Sequence, residues 1–246
     1  SGGTESCNLA ILGTYYAWKK ENKDETVPHI ITSSIELPSV LEPIQHLEKN
    51  FGVEVTYIPA SEDGIVKAED IRNALKENTI LVSIMYANNE IGTIQPIKEI
   101  GRVVKEFRRQ SGKSYPYFHT DACQAGLYLT LDTLKQNVDL MTLDGIKMYG
   151  PRGAGILFKR SNIDIEPVIY GGGQQSGLRS GTENLSSIVG MAKCLETAEA
   201  LKEKESARLK EIRDYAISKI LKEFPKASLN GDLEQRLPNN INICFP

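Results

Sequence analysis

From residue 29 to residue 143 the chain alternates between short apolar runs and longer stretches whose apolar residues recur at helical spacing, a rhythm that few folds accommodate. Strand-like runs fall at 29–33, 53–58, 79–85, 116–120 and 138–143, and helix-like stretches at 38–50, 67–76 and 96–110 separate the first four. Strands that return to one sheet through helices lie parallel and are covered on both faces. A further helix is expected at 7–20. The run 154–158 follows its predecessor after a short turn, so it is expected to pair antiparallel with it. Residues 183–223 carry Ile188, Met191, Leu195 and Ala198 at helical spacing over a span longer than an ordinary helix. A break or bend is expected at 202–206, where charges dominate. Beyond Pro225, Ser228-Leu229-Asn230-Gly231 reads as a turn into a second domain and 239–245 as a strand. The expected division is therefore a large domain over 1–182, a connecting helical region over 183–223, and the start of a C-terminal domain over 224–246.

In open α/β sheets, ligands bind beyond the carboxyl ends of the strands, and the polar segments of this chain gather there. Ser1-Gly2-Gly3-Thr4-Glu5-Ser6 opens a helix with N–H groups and a hydroxyl, an anion cradle. Such starts also occur for structural reasons alone. Tyr86-Ala87-Asn88-Asn89-Glu90-Ile91-Gly92 follows the third run. His119-Thr120-Asp121-Ala122-Cys123-Gln124 sets an acid and an amide three residues apart after the fourth, and Asp144-Gly145-Ile146-Lys147-Met148-Tyr149-Gly150-Pro151 puts a lysine on a glycine-bearing turn after the fifth. The glycine-dense segment from Gly171 to Thr182 opens the long helical span. A lysine amine attacks an aldehyde when burial destabilises its ammonium form. Lys147 is accordingly expected to be buried at the base of a cleft bracketed by Asp121. A single loop lysine is ordinarily a solvated charge, and only the company of the other four segments argues otherwise.

Taken in order, SGGTES, NNEIG, HTDACQ, the lysine of KMYGP and GGGQQSGLRSGTEN resemble the cysteine desulfurase and selenocysteine lyase family, over nearly the whole chain. The family consists of fold-type I enzymes dependent on pyridoxal 5′-phosphate (PLP). The resemblance implies a three-layer α/β large domain with a mostly parallel sheet, plus the start of a smaller C-terminal α+β domain. It also implies that Lys147 forms a Schiff base with PLP, that Thr4 and the backbone around Gly3 hold the phosphate, and that Asp121 pairs with the pyridine nitrogen. Gln124 matches the residue that hydrogen-bonds the phenolic oxygen, and Asn89 one near that oxygen and the substrate carboxylate. Thr182 matches a residue that reaches the phosphate of the neighbouring subunit in family homodimers. The implied reaction takes L-cysteine or selenocysteine to alanine and passes sulfur or selenium to an acceptor, in some members an acceptor protein. Another fold-type I activity, such as an aminotransferase, shares the cofactor residues. A degenerate homologue kept as a scaffold or dimer partner is the alternative from another class.

Three positions depart from the family pattern. Where the family usually has Glu-His, with the imidazole stacked on the cofactor, this chain has Glu36-Leu37, and leucine moves no proton. Where it usually has Ser-Gly-His ahead of the lysine, this chain has Asp144-Gly145-Ile146. Two phosphate donors are thereby lost and a carboxylate is expected to face the dianion, so weaker cofactor affinity is expected. His119 aligns with a family histidine for which a structural role is expected. The family's sulfur-accepting cysteine and substrate-binding arginine belong to a C-terminal part that has no counterpart before Pro246, and the chain is read as a piece of a longer polypeptide or the product of a truncated gene.

Cys7, Cys123, Cys194 and Cys244 show no C-x-x-C or Cys/His spacing, which argues against a zinc site or a redox pair. Burial is the expected state of all four, with Cys123 close to the cofactor. The aromatic residues Tyr15, Tyr16 and Trp18 are expected to pack, and 196–213 to form a solvated, salt-bridged helix face. At 246 residues, 40% hydrophobic and with a net charge of −3, the chain suffices for one sizeable core and lacks the basic footprint of a nucleic-acid binder. No apolar run reaches membrane-spanning length. Unpatterned cysteines fit a reducing compartment, the cytoplasm or, with a targeting segment, an organelle.

Overall fold

The computed structural model describes residues 1–22 and 26–246. Its strands are β1 (His29–Ser33), β2 (Glu54–Ile58), β3 (Thr79–Ser83), β4 (Tyr117–Asp121), β5 (Leu140–Asp144) and β6 (Gly155–Lys159). They form one sheet in the order β2-β1-β3-β4-β5-β6. The first five run parallel, and β6 returns antiparallel beside β5 with Thr142 opposite Leu157. The link between β5 and β6 contains no long helix to carry the chain back across the sheet, so the reversal is the geometry left open.

Successive residues of a strand point to opposite faces. The pairs Ile30/Ile31, Leu81/Val82, Tyr117/Phe118 and Leu140/Met141 accordingly divide between two apolar cores. The first member of each pair packs with α1 (Gly3–Glu21) and α2 (Pro38–Phe51). The second packs with α3 (Ala68–Ala74), α4 (Ile97–Ser111) and, through Met191, α5 (Leu185–Glu223). The result is the expected three-layer α/β arrangement. Tyr15 and Trp18 are core residues of α1, as expected of packing aromatics.

β1, β3 and β4 are buried at every position, and their two histidines are satisfied by hydroxyls across the sheet. His119 bonds Ser83 Oγ at 2.8 Å and Thr142 Oγ1 at 3.0 Å. His29 bonds Thr79 at 2.9 Å and Thr56 at 2.8 Å. Burial pulls the histidine pKa values down, to about 3 for His119 and about 4 for His29. Both rings are thus neutral parts of the sheet. Asp139 anchors the start of β5: it accepts the Phe118 N–H at 2.9 Å and Arg108 Nη1 at 2.7 Å, with Arg160 Nε at 3.4 Å.

The expected break at 202–206 does not occur, and α5 runs unbroken for 39 residues. The segment is rich in lysine and glutamate, good helix formers, and its charges pair one turn apart, as in Lys202 with Glu199 and Arg208 with Glu205. The solvated face expected at 196–213 needs correcting at two positions, since Lys202 and Arg213 are buried. Arg213 donates to the carbonyls of Arg236 at 3.0 Å and Leu237 at 3.1 Å. Residues 230–242 thus lie between α5 and the loop after β3, where Leu237 N–H reaches the Gly92 carbonyl at 2.8 Å and Ile94 N–H that of Gln235 at 2.8 Å.

The strand expected at 239–245 shrinks to β8 (Ile243–Cys244), paired antiparallel with β7 (Ser228–Leu229). On so short a ribbon Cys244 is exposed, contrary to the expected burial. No helix among the described residues is long and apolar enough to cross a membrane.

Candidate active site

Helix α1 begins at Gly3, four residues earlier than its apolar spacing suggests, so Thr4 and Cys7 lie within it. Gly2 holds the N-cap at φ 152°, a conformation that favours glycine, and supplies no side-chain cap. The amides of the first turn and the positive end of the helix dipole are therefore available to an anion. Close packing fixes this loop in place. A Cβ on Gly155 of β6 would lie 2.5 Å from the Gly2 carbonyl carbon. One on Gly3 would lie 2.7 Å from Cys123 Sγ and 3.4 Å from Asp144 Oδ2. The helix start, the loop after β4 and the end of β5 therefore meet at Gly3.

Asp121 closes β4 and is 5% exposed. Its Oδ1 accepts the Cys123 N–H at 3.0 Å, and its Oδ2 accepts the Cys7 S–H at 3.5 Å. Cys7 stands one helical turn beyond Gly3, which is how α1 brings both to the same place. Burial pushes the thiols of Cys7 and Cys123 well up, with the Asp121 charge adding to the effect. A sulfur acceptor needs the opposite, an accessible thiolate, so neither is suited to that part.

Lys147 lies in the 3-10 turn Gly145–Met148, which Asp144 caps by accepting the Ile146 N–H at 3.3 Å. The expected burial of Lys147 is corrected here: its side chain is exposed, because Met148 takes the inward position on this turn. The other oxygen of Asp144 faces the Gly2–Gly3 loop, as the expectation of a carboxylate opposite an anion requires.

Gln124 is half-buried beside Cys123, and Thr4 is exposed at the helix start. Thr182 is exposed and lines a groove of about 620 Å³ along β6 together with Ser1 and Glu5. Its segment is folded onto α1 of its own chain by Arg179, which pairs with Glu5 at 2.7 and 3.3 Å and draws the Glu5 pKa down to about 2. Asn89 does not join the others. It is exposed at the tip of the loop after β3, its carbonyl 3.5 Å from Asn240 Nδ2. Asn88, which the sequence reading passed over, is the structured member of that pair. It accepts the N–H groups of Glu90 and Ile91 at 2.8 and 3.0 Å and donates to the Ile35 carbonyl at 3.2 Å.

Glu36 was equally unsignalled as a site residue. It is 6% exposed, and its Oε1 accepts the Ser33 hydroxyl at 2.6 Å and the Met85 N–H at 2.8 Å. Its Oε2 has no partner. Burial raises its pKa to about 8, and the Asp121 charge contributes to the rise. Leu37 follows, half-buried, at the start of α2.

A sheet whose strand ends present a helix N-terminus, a buried carboxylate and a turn lysine suits a ligand with an anionic group, a basic ring nitrogen and a carbonyl. The profile of the aminotransferase class-V family matches residues 1–246. The chain belongs to that family. Class-V aminotransferases depend on PLP, and the donor set fits it at three points: the open turn of α1 for phosphate, Asp121 for the ring nitrogen and Lys147 for the aldehyde. Asp144 is the misfit.

Among curated proteins, this chain is 45% identical to the cysteine desulfurase IscS of Dictyoglomus turgidum, over 100% of this chain and 59% of that protein. It is 47% identical to the cysteine desulfurase IscS of Methanosarcina thermophila, over 100% of this chain and 57% of the relative. These similarities support its place among the cysteine desulfurases of the family, and the chain spans under two thirds of the length of either relative. Among solved structures, a NifS-like protein superposes with a TM-score of 0.90 at 34% identity, covering 100% of this chain and 64% of that one. A structure described as SspA in complex with cysteine gives 0.81 at 37% identity, covering 65% of its own chain.

Proposed function

We propose that this chain is the cofactor-binding part of a cysteine desulfurase that takes L-cysteine, or selenocysteine, to alanine and passes the sulfur to an acceptor, working as a homodimer whose C-terminal domain starts within 224–246. The observation that carries the reading is Asp121, a buried carboxylate at a strand end held by the Cys7 S–H and the Cys123 N–H. A carboxylate oxygen fixed at that strand end is the acceptor a pyridinium N–H needs opposite it. PLP, when bound, supplies an electron sink for the substrate α-carbon.

The chain's own groups supply the rest. The first turn of α1 holds the phosphate through its amides and Thr4. Gln124 offers its side-chain amide to the phenolic oxygen. Lys147, exposed on its turn, would be the residue that holds the cofactor aldehyde, and its Nζ would be the base nearest the substrate Cα proton. Leu37 packs against the ring face and keeps water from it without carrying a proton. Asp144 opposes the phosphate.

The reading is tested by adding PLP to the purified chain, reducing with borohydride and mapping the labelled peptide. Label on Lys147, lost in Lys147→Ala, is the expected result, and label on another lysine overturns the assignment. A non-catalytic homologue is the second reading, favoured by Asp144 beside the phosphate loop and by the missing imidazole at Leu37. A chain that takes up no PLP supports that reading.

A further inference from the structure

The loops after β1, β3 and β4 place two carboxylates in one buried neighbourhood. The consecutive amides of Met85 and Tyr86 run between the two residues, the first donating to Glu36 Oε1 and the second to the main-chain carbonyl of Asp121. The carboxylates differ in how they are satisfied. Both oxygens of Asp121 have donors, from Cys123 and Cys7, whereas Glu36 Oε2 has none and is closed off from water. A bare anionic oxygen in such a place is costly, and a neutral carboxyl there costs far less. When like charges share a site, one proton is retained by the pair and settles on the less well-solvated partner.

We propose that Glu36 is a positioning residue of this site: it stands as a neutral carboxylic acid at neutral pH, so that the single negative charge of the Glu36–Asp121 pair stays on Asp121, where the ring nitrogen meets it. The proposal rests on the reading of Asp121 as the cofactor's partner, and it assigns a part to the glutamate that precedes Leu37. Ionised, Glu36 would set a second negative charge beside Asp121. Neutral, it leaves Asp121 as the only anion of the pair.

The charged and titratable groups around the pair are few. Asp121 is the one whose charge acts on Glu36, and Asp121 in turn faces the thiols of Cys7 and Cys123, both un-ionised. Asp144 acts on Cys123 from the end of β5. His119 lies within the sheet, bonded to Ser83 and Thr142 and neutral.

The test uses the chain without PLP, so it stands apart from cofactor binding. A carboxyl whose folded pKa lies above its unfolded value binds more protons when folded. The stability it confers is complete below the unfolded pKa of 4.5 and declines as pH rises through about 8. His29 and His119, depressed to about 4 and 3, act in the opposite sense as pH rises toward 6.5, and a variant that keeps both removes their effect by subtraction. Urea unfolding of wild type and Glu36→Gln is followed across that pH range, together with infrared detection of the neutral carboxyl carbonyl band.

Wild type is expected to lose stability relative to Glu36→Gln as pH rises, and the carboxyl band, present at neutral pH, is expected to vanish in the variant. Parallel pH profiles, or no Glu36-dependent band at neutral pH, overturn the proposal. Should Glu36→Gln not fold, the band in Asp121→Asn decides: loss of the neighbouring charge is expected to move its titration to lower pH, and an unmoved titration refutes the pairing. PLP labelling of Lys147 together with an ionised Glu36 would refute the pairing and leave the functional reading standing. A neutral Glu36 in a chain that takes no PLP would do the reverse.

Discussion

The contact between Gly3 and Cys123 converts into a worked prediction, because it joins the start of α1 to the loop that carries Asp121. A Cβ placed on Gly3 lies 2.7 Å from Cys123 Sγ, about 1 Å inside an ordinary non-bonded contact. The sulfur has little room to yield, being buried beside Asp121 and Cys7. Overpacking of this kind costs about 1–3 kcal/mol. Alanine in place of glycine in a helix returns roughly 0.5–1 kcal/mol, and Gly3 sits in the first turn of α1. Gly3→Ala should therefore destabilise the chain by about 1–2 kcal/mol, against the usual sign of a glycine-to-alanine change in a helix. In a Cys123→Ala background the obstruction is gone, and Gly3→Ala should be neutral or stabilising. A double-mutant cycle by urea unfolding, with all four proteins sharing one m-value, should give a coupling of about 1–3 kcal/mol. A coupling near zero, or a Gly3→Ala single variant as stable as wild type, would refute the packing argument.

Asp139→Asn leaves Arg108 and Arg160 facing a neutral group at the base of β5, and a loss of about 3 kcal/mol in urea unfolding is expected, with less than about 1 kcal/mol refuting the anchor. Ile146→His restores a donor beside the phosphate loop, and slower loss of PLP on dialysis is expected, by roughly tenfold or more for about 1.5 kcal/mol. Leu37→His supplies a proton carrier at the ring face, so alanine formation from cysteine, in any preparation that shows it, should rise by about 10²-fold or more. Arg213→Ala removes the bonds that hold residues 230–242 on α5, and limited proteolysis should cleave that segment before any other. Unchanged cleavage order would show that the loop after β3 holds it alone.

The sheet was legible because burial on both faces leaves its strands as unbroken apolar runs with helical spacing between them, as in Thr79–Ser83 ahead of Ile97–Ser111. The antiparallel β6 followed from the short turn before it. Where the reading erred, the competing effect was local. Charge density suggested a bend at 202–206, yet pairs one turn apart make such a run a good helix. Lys147 was expected inside because it follows a strand end in the company of the other polar segments, and the register of a single turn gave that place to Met148. Cys7, Glu36 and Asn88 were given no site role because their importance lies in what they touch: Asp121 is 114 residues from Cys7, and Met85 is 49 from Glu36. No pattern along the chain encodes a hydrogen bond of that reach.

Helix α5 is about 58 Å long at 1.5 Å per residue, and it is seated along one line. Its buried residues, Met191, Ala198, Lys202, Arg213 and Ile217, recur at spacings that keep them on a single stripe. The two ends of that stripe adhere differently. Near Met191 the helix is embedded in the apolar core shared with α4 and the sheet. Near Arg213 it is attached chiefly through guanidinium bonds to the carbonyls of the segment it carries. The distal half of the rod is thus tied through Arg213 to the segment that follows it, while the proximal half belongs to the core under the sheet.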